Sequence, residues 1–124
     1  MNIWFSTREN YQLSNLSHRP FLDNDGRQYQ SVEHAYQTWK SGSFDEVYYK
    51  QWKHGSKYIG RQKADFSTNM NLMYKLIKRS FEKNPEALQL LLATGDEVLT
   101  HNQDRGVWKL KFPSILMRVR SELS

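Results

Sequence analysis

Ser31-Val32-Glu33-His34-Ala35-Tyr36-Gln37-Thr38-Trp39-Lys40 is the stretch on which the reading of this chain turns. Val32, Ala35, Tyr36 and Trp39 recur at i, i+3, i+4 and i+7, the spacing of one apolar helix face. Ser31 stands before them as an N-cap. The spacing predicts a helix over 31–40 with those four side chains toward the core. Glu33, Gln37 and Lys40 form a second stripe, about a third of a turn away at roughly 100° per residue. Such a stripe flanks the core and suits a cleft wall. It also suits a solvated face: the helix dipole favours a first-turn Glu, and Glu–Gln–Lys at these intervals is common on exposed helices. On geometry alone the solvated face is the more frequent outcome. His34 lies on a third face, where a lone His is more often a hydrogen-bonding neighbour than a metal ligand. No His sits four residues away, so a helical zinc motif is absent.

Outward from this helix, residues 1–6 read as a short strand and 7–18 as a polar loop. Residues 21–29 read as a hairpin turning at Asp25-Gly26. Downstream, Ser43 with Glu46 makes a capping box for a helix over 43–53, and a short turn near Tyr58-Ile59 ends at Gly60. Thr68 precedes a longer helix whose Leu72, Met73, Leu76, Ile77 and Phe81 keep helical spacing. Asn84 caps the next, with Pro85 at its first position, where the missing N–H does no harm. Leu88, Leu91 and Leu92 form its buried stripe, Gly95 stops it, and 97–100 are extended. Pro113 is expected to begin the last helix, with Ile115, Leu116, Val119 and Leu123 inward. The fold class is therefore mainly α (α+β), with a small N-terminal antiparallel β element. Strand and helix do not alternate, which argues against a doubly wound sheet.

With 124 residues the chain is expected to form one domain. Aromatic residues are 14% of it, enough to fill a core and line a pocket besides. It has no cysteine, which excludes disulfides and thiolate metal sites. No apolar run approaches the roughly 20 residues of a membrane span. The first residues lack a signal-peptide layout, so a cytoplasmic location is the expectation. Net charge is +5. The basic excess is spread along the chain without a polybasic block, and it favours anionic ligands only in a general way.

The ordered motifs resemble the NADAR, or YbiA-like, N-glycosidases over nearly the whole chain. Leu13-Ser14-Asn15 looks like that family's L-S-N, and Glu33-His34 with Gln37 and Lys40 like its E-H-x-x-Q-x-x-K helix. Gly60-Arg61 resembles a further pair. Phe81-Glu82-Lys83-Asn84-Pro85, Leu91-Leu92-Ala93-Thr94-Gly95-Asp96 and the closing 116–123 segment resemble the second half. The resemblance implies a compact orthogonal helical domain of YbiA-like fold. It implies hydrolysis of a ribosyl C–N bond in a phosphorylated ribosyl or ADP-ribosyl substrate. The substrates it points to are phosphoribosylaminopyrimidine intermediates of riboflavin synthesis, or ADP-ribosylated guanine, as in ADP-ribosylated DNA. No cofactor, metal or membrane is implied.

Under this resemblance Glu33 is the reacting carboxylate or base and Asp104 the second catalytic carboxyl. Ser14 and Asn15 would hold ribose hydroxyls. His34 and Gln37 would join them in binding substrate. Lys40 and Arg61 would meet phosphate, Arg with bidentate contacts. Trp108 would stack on the base or shield the developing cation. The sequence departs from the pattern around the second carboxyl. Asp104-Arg105-Gly106-Val107-Trp108 carries one residue more than the family's D-x-x-W-G, and Lys109 replaces the glycine after Trp. Phe112-Pro113-Ser114 replaces an N-x-L-G-like approach, and Ser80 stands where a Lys is common. Asp104 as a turn or cap residue, and Trp108 as plain core, stay open beside the catalytic roles. So do two other functions: a non-catalytic binder of ADP-ribose or related nucleotides, and a nucleic-acid-binding domain with salt-sensitive affinity.

Overall fold

The computed structural model describes residues 1–4, 9–41, 69–104 and 106–124, with the side chains of Lys40 and Ser41 excepted. The expected helix over 43–53, the turn near Tyr58-Ile59, Thr68 and Arg61 lie outside the described residues.

The hairpin forms where Asp25-Gly26 places it. Strand β1 (Phe21–Leu22) pairs antiparallel with β2 (Gln28–Tyr29), Phe21 opposite Tyr29. Gly26 takes φ +77°, which a side chain rarely adopts. Helix α1 (Val32–Ser41) follows at once, and the Ser31 hydroxyl accepts the His34 N–H at 3.2 Å, as an N-cap should. Helix α2 (Met70–Glu82) is capped by Asn69, whose side chain accepts the Leu72 N–H at 3.0 Å. Helix α3 (Pro85–Leu92) begins with Pro85. Its N-cap residue Asn84 does not cap with its side chain but donates to the Pro20 and Ser80 carbonyls, at 2.9 and 2.7 Å. The chain turns through Gly95 at φ +60° after α3 ends.

Helix α2 is the hub: α1, α3 and α4 (Trp108–Leu123) each pack against it. Its Met73, Leu76, Ile77 and Phe81 are buried with Val32, Ala35 and Tyr36 of α1, Leu91 of α3, and Ile115, Leu116 and Val119 of α4. Those residues belong to the apolar stripes the spacing had marked, whose Leu72, Leu88, Leu92 and Leu123 are only partly buried.

Four expectations need correction. Trp39 is not a core residue: its ring is 43% exposed, and its indole N–H donates to Asp23 Oδ2 at 2.7 Å. The polar edge of the indole holds the ring at the rim, where one end can be apolar and the other bonded. The last helix does not begin at Pro113 but at Trp108, with Pro113 inside it and buried. Residues 1–6 do not form a ladder among those described: Asn2 makes a single parallel bridge to Thr100, with Ile3 N–H donating to the Thr100 carbonyl at 2.9 Å. Finally, 7–18 is not a plain polar loop. Tyr11–Leu13 forms a 3-10 turn, and Leu13 to Ser17 are all buried.

Among the described residues, no helix is long and apolar enough to cross a membrane.

Candidate functional site

The buried segment after the 3-10 turn runs directly beneath the start of α1. Glu33 is the second residue of that helix, where a backbone N–H has no partner within the helix. Its N–H donates instead to the Asn15 carbonyl at 3.1 Å. The resemblance had paired Ser14-Asn15 with Glu33 as parts of one site, and the backbone joins them. Ser14 is fully buried and Asn15 nearly so. The Ser14 hydroxyl and Asn15 Oδ1 are buried polar atoms that meet no hydrogen-bond partner among the described residues. Among the described residues, Asn15 Nδ2 makes only a soft contact, donating to Met73 Sδ at 3.4 Å. Such orphaned polar groups are rare in native interiors and cost about 1–3 kcal/mol each, so they call for an explanation.

Among the described side chains of α1, Glu33 and Gln37 are half-buried, Trp39 is exposed and the others are enclosed. Gln37 Nε2 donates to Glu33 Oε1 at 3.0 Å, across one turn of the helix. Glu33 and Gln37 therefore flank the core, and one amide steers the carboxylate, while the Lys40 side chain lies outside the described residues. Lys40 belongs to α1 by its backbone. His34 is fully enclosed, its Nδ1 accepting the Gln30 N–H at 3.5 Å and its ring set edge-on to Tyr29 at 5.2 Å.

Trp108 reaches the same helix from α4. Its ring meets Tyr36 edge-to-face with centroids 5.6 Å apart. Tyr36 lies three residues beyond Glu33, about 4.5 Å further along the axis. The Tyr36 hydroxyl in turn accepts the Asn69 N–H at 2.9 Å, locking α2 to the same point. Asp104 stands differently. Its Oδ1 accepts the Gly106 N–H at 2.9 Å, a local turn in which the carboxylate serves its own loop. The structure gives no contact between Asp104 and Glu33.

Three groups escaped the sequence reading. Asp23, beside the hairpin, pairs with Arg79 of α2 as well as holding Trp39, and so clamps α1 and α2 together. His101 is buried, Nδ1 within 2.8 Å of the Ile3 carbonyl and its ring 4.9 Å from Phe112. Burial lowers its pKa below the usual 6.5, opposed by the Ile3 bond and by the charge of Asp104. Arg19 is buried beside the 3-10 turn. A charged residue in a loop reads as solvated in sequence, so no local signal marks any of them.

A cleft of about 610 Å³ opens between the 3-10 turn and the first turn of α3, with Tyr11, His18, Arg19 and Ala87 in its wall. Among the described residues, none of those expected to react or bind substrate lines it. Among the described residues, no three His, Asp or Glu side chains gather as a metal site requires.

No family model matches the chain, and no curated protein sequence does. Its structure is similar to the NMR structure of the E. coli protein YbiA, with a TM-score of 0.68 at 23% identity, over 99% of this chain and 83% of that one. The chain thus has a YbiA-like fold.

Proposed function

We propose that this YbiA-like fold serves an N-glycosidase, which hydrolyses the C–N bond between a ribosyl carbon and a nitrogen. The observation that carries the reading is the junction at Glu33: a half-buried carboxylate whose own N–H is tied to Asn15, beside two orphaned polar atoms of Ser14 and Asn15. Hydroxyls of a ribose are the kind of partner those atoms take, each able to donate and accept.

In the reaction, the C–N bond breaks and its electron pair leaves with the nitrogen, which takes up a proton. Positive charge grows at the anomeric carbon, and the Glu33 carboxylate stabilises it or removes a proton from the attacking water. A new C–O bond then forms at that carbon. Gln37, bonded to Oε1, fixes the carboxylate's direction. Trp108, one turn along the helix, would bound the site on the side of the leaving base. Phosphate contacts would fall to Lys40 and Arg61, and Asp104 would supply the second carboxyl only if its loop rearranged.

The test is mass spectrometry of products from a panel: a phosphoribosylaminopyrimidine, NAD, and DNA carrying ADP-ribosylated guanine. Release of ribose phosphate or ADP-ribose from one of them is the expected result. Tight binding of ADP-ribose without any product over long incubation would replace the enzyme by a binding domain.

A further inference from the structure

Arg19 is 2% exposed, and its guanidinium is held through Nε and Nη1, while the buried Nη2 meets no hydrogen-bond partner among the described residues. Nε donates to Ser80 Oγ at 3.1 Å. Nη1 shares its two hydrogens among three acceptors, the Gln12 carbonyl at 2.8 Å, the Ser14 carbonyl at 2.7 Å and Ser17 Oγ at 2.7 Å. Cζ lies 4.3 Å from the centre of the Phe81 ring. No carboxylate pairs with it among the described residues. Burial pushes its pKa down to about 9, which leaves it cationic at neutral pH.

Burying a charge without a counter-ion is expensive, and the same volume could be filled with apolar groups. What the guanidinium supplies that an apolar group cannot is a rigid fork of donors. Nη1 alone meets residues 12, 14 and 17, and so ties three points of the buried segment together. The Ser17 hydroxyl and N–H also bond the Ser14 carbonyl, at 2.8 and 3.3 Å, so Ser14 is gripped twice. The next residue is Asn15, whose carbonyl receives the Glu33 N–H. Hydrogen bonds and the Ser14–Asn15 peptide bond therefore connect Arg19 to the backbone of Glu33.

We propose that Arg19 is the positioning residue for Glu33: by fixing Ser14 it fixes the Asn15 carbonyl, and that carbonyl fixes how α1 presents its carboxylate. The kinetic consequence rests on the glycosidase reading; the structural one does not.

The experiment uses the full chain with Arg19→Lys and Arg19→Met. Amide hydrogen exchange followed by NMR reads the Glu33 N–H directly, with the Ile77 and Leu116 amides reporting the fold. The expected result is Glu33 exchange faster by about tenfold in both variants relative to Ile77 and Leu116, with kcat on the hydrolysed conjugate down by about tenfold or more. A merely structural role would speed all three amides together, and that outcome overturns the proposal. So does a folded Arg19→Met protein whose Glu33 amide stays protected. Should neither position-19 variant fold, Ser80→Ala removes one acceptor of the guanidinium and must still accelerate Glu33 selectively. Wild-type protein inert on every conjugate sinks the activity, while the exchange rates decide the role of Arg19 separately.

Discussion

Glu33 and Asp104 are both acidic, both half-buried and both singled out by motif, yet the fold treats them in opposite ways. Glu33 stands on a helix whose backbone is tied to a buried segment and whose carboxylate is steered by Gln37. Asp104 stands in a loop and spends an oxygen on the Gly106 N–H two residues on. The first is positioned by a backbone bond to a distant segment and by a neighbour one helix turn on, the second by its own loop alone. Reacting groups need to be held by rigid elements to within a fraction of an ångström, which favours Glu33. The contrast teaches that a carboxylate's neighbours in space say more about its task than its place in a motif.

The sharpest way to break this contrast is to neutralise each acid. Glu33→Gln should lower kcat by about 100-fold or more, within the range for losing a catalytic acid or base, with the fold retained by circular dichroism. Full activity in that folded variant would end the assignment.

Trp108 comes next, because it is the link between the two regions. Trp108→Ala should cost about 2–3 kcal/mol of stability in urea unfolding, somewhat below the range for fully buried rings. Trp108→Phe, which keeps a ring against Tyr36, should lose only about 1 kcal/mol. Equal losses would mean that the edge-to-face contact with Tyr36 contributes little.

Asp104→Asn should be mild: the amide oxygen can still accept the Gly106 N–H, so stability should shift by about 0.5 kcal/mol and kcat by less than about threefold. A loss matching that of Glu33→Gln would erase the distinction and make Asp104 the second catalytic carboxyl.

The smallest effect lies in the pH dependence near Asp104. His101 is held below its usual pKa chiefly by burial, so the folded state favours the neutral ring. The unfolded chain then binds more protons between the two pKa values, and stability rises with pH across that window. Its contribution is complete above about pH 6.5 and is lost as pH falls toward the folded-state value. Unfolding at pH 7.5 and 5 should show this slope in the wild type and a shallower one in His101→Gln. Identical slopes would mean that His101 does not carry it.

Much of the frame was legible in sequence. The apolar intervals of Leu76, Ile77 and Phe81, the Ser31 cap, the Asp25-Gly26 turn and Pro85 at a helix start are local signals, written within one turn or one hairpin. The Glu33–Gln37 pairing was legible for the same reason. Trp39 and Pro113 were misplaced because their neighbours overrule local preference: Asp23 draws the indole outward, and buried packing carries α4 through the proline. The burial of Ser14, Asn15 and Ser17 was invisible, since small polar residues around two leucines read as solvated loop.

What the sequence determined by itself, then, is where helices start, which faces are apolar, and that Glu33 belongs on the flank of one of them. What only the tertiary structure decided is what holds it there. Asn15 lies eighteen residues before Glu33, and Ser80 lies sixty-one after Arg19. Periodicity reports order along one element, whereas hydrogen bonds between elements depend on how those elements meet, and only the packed chain sets that.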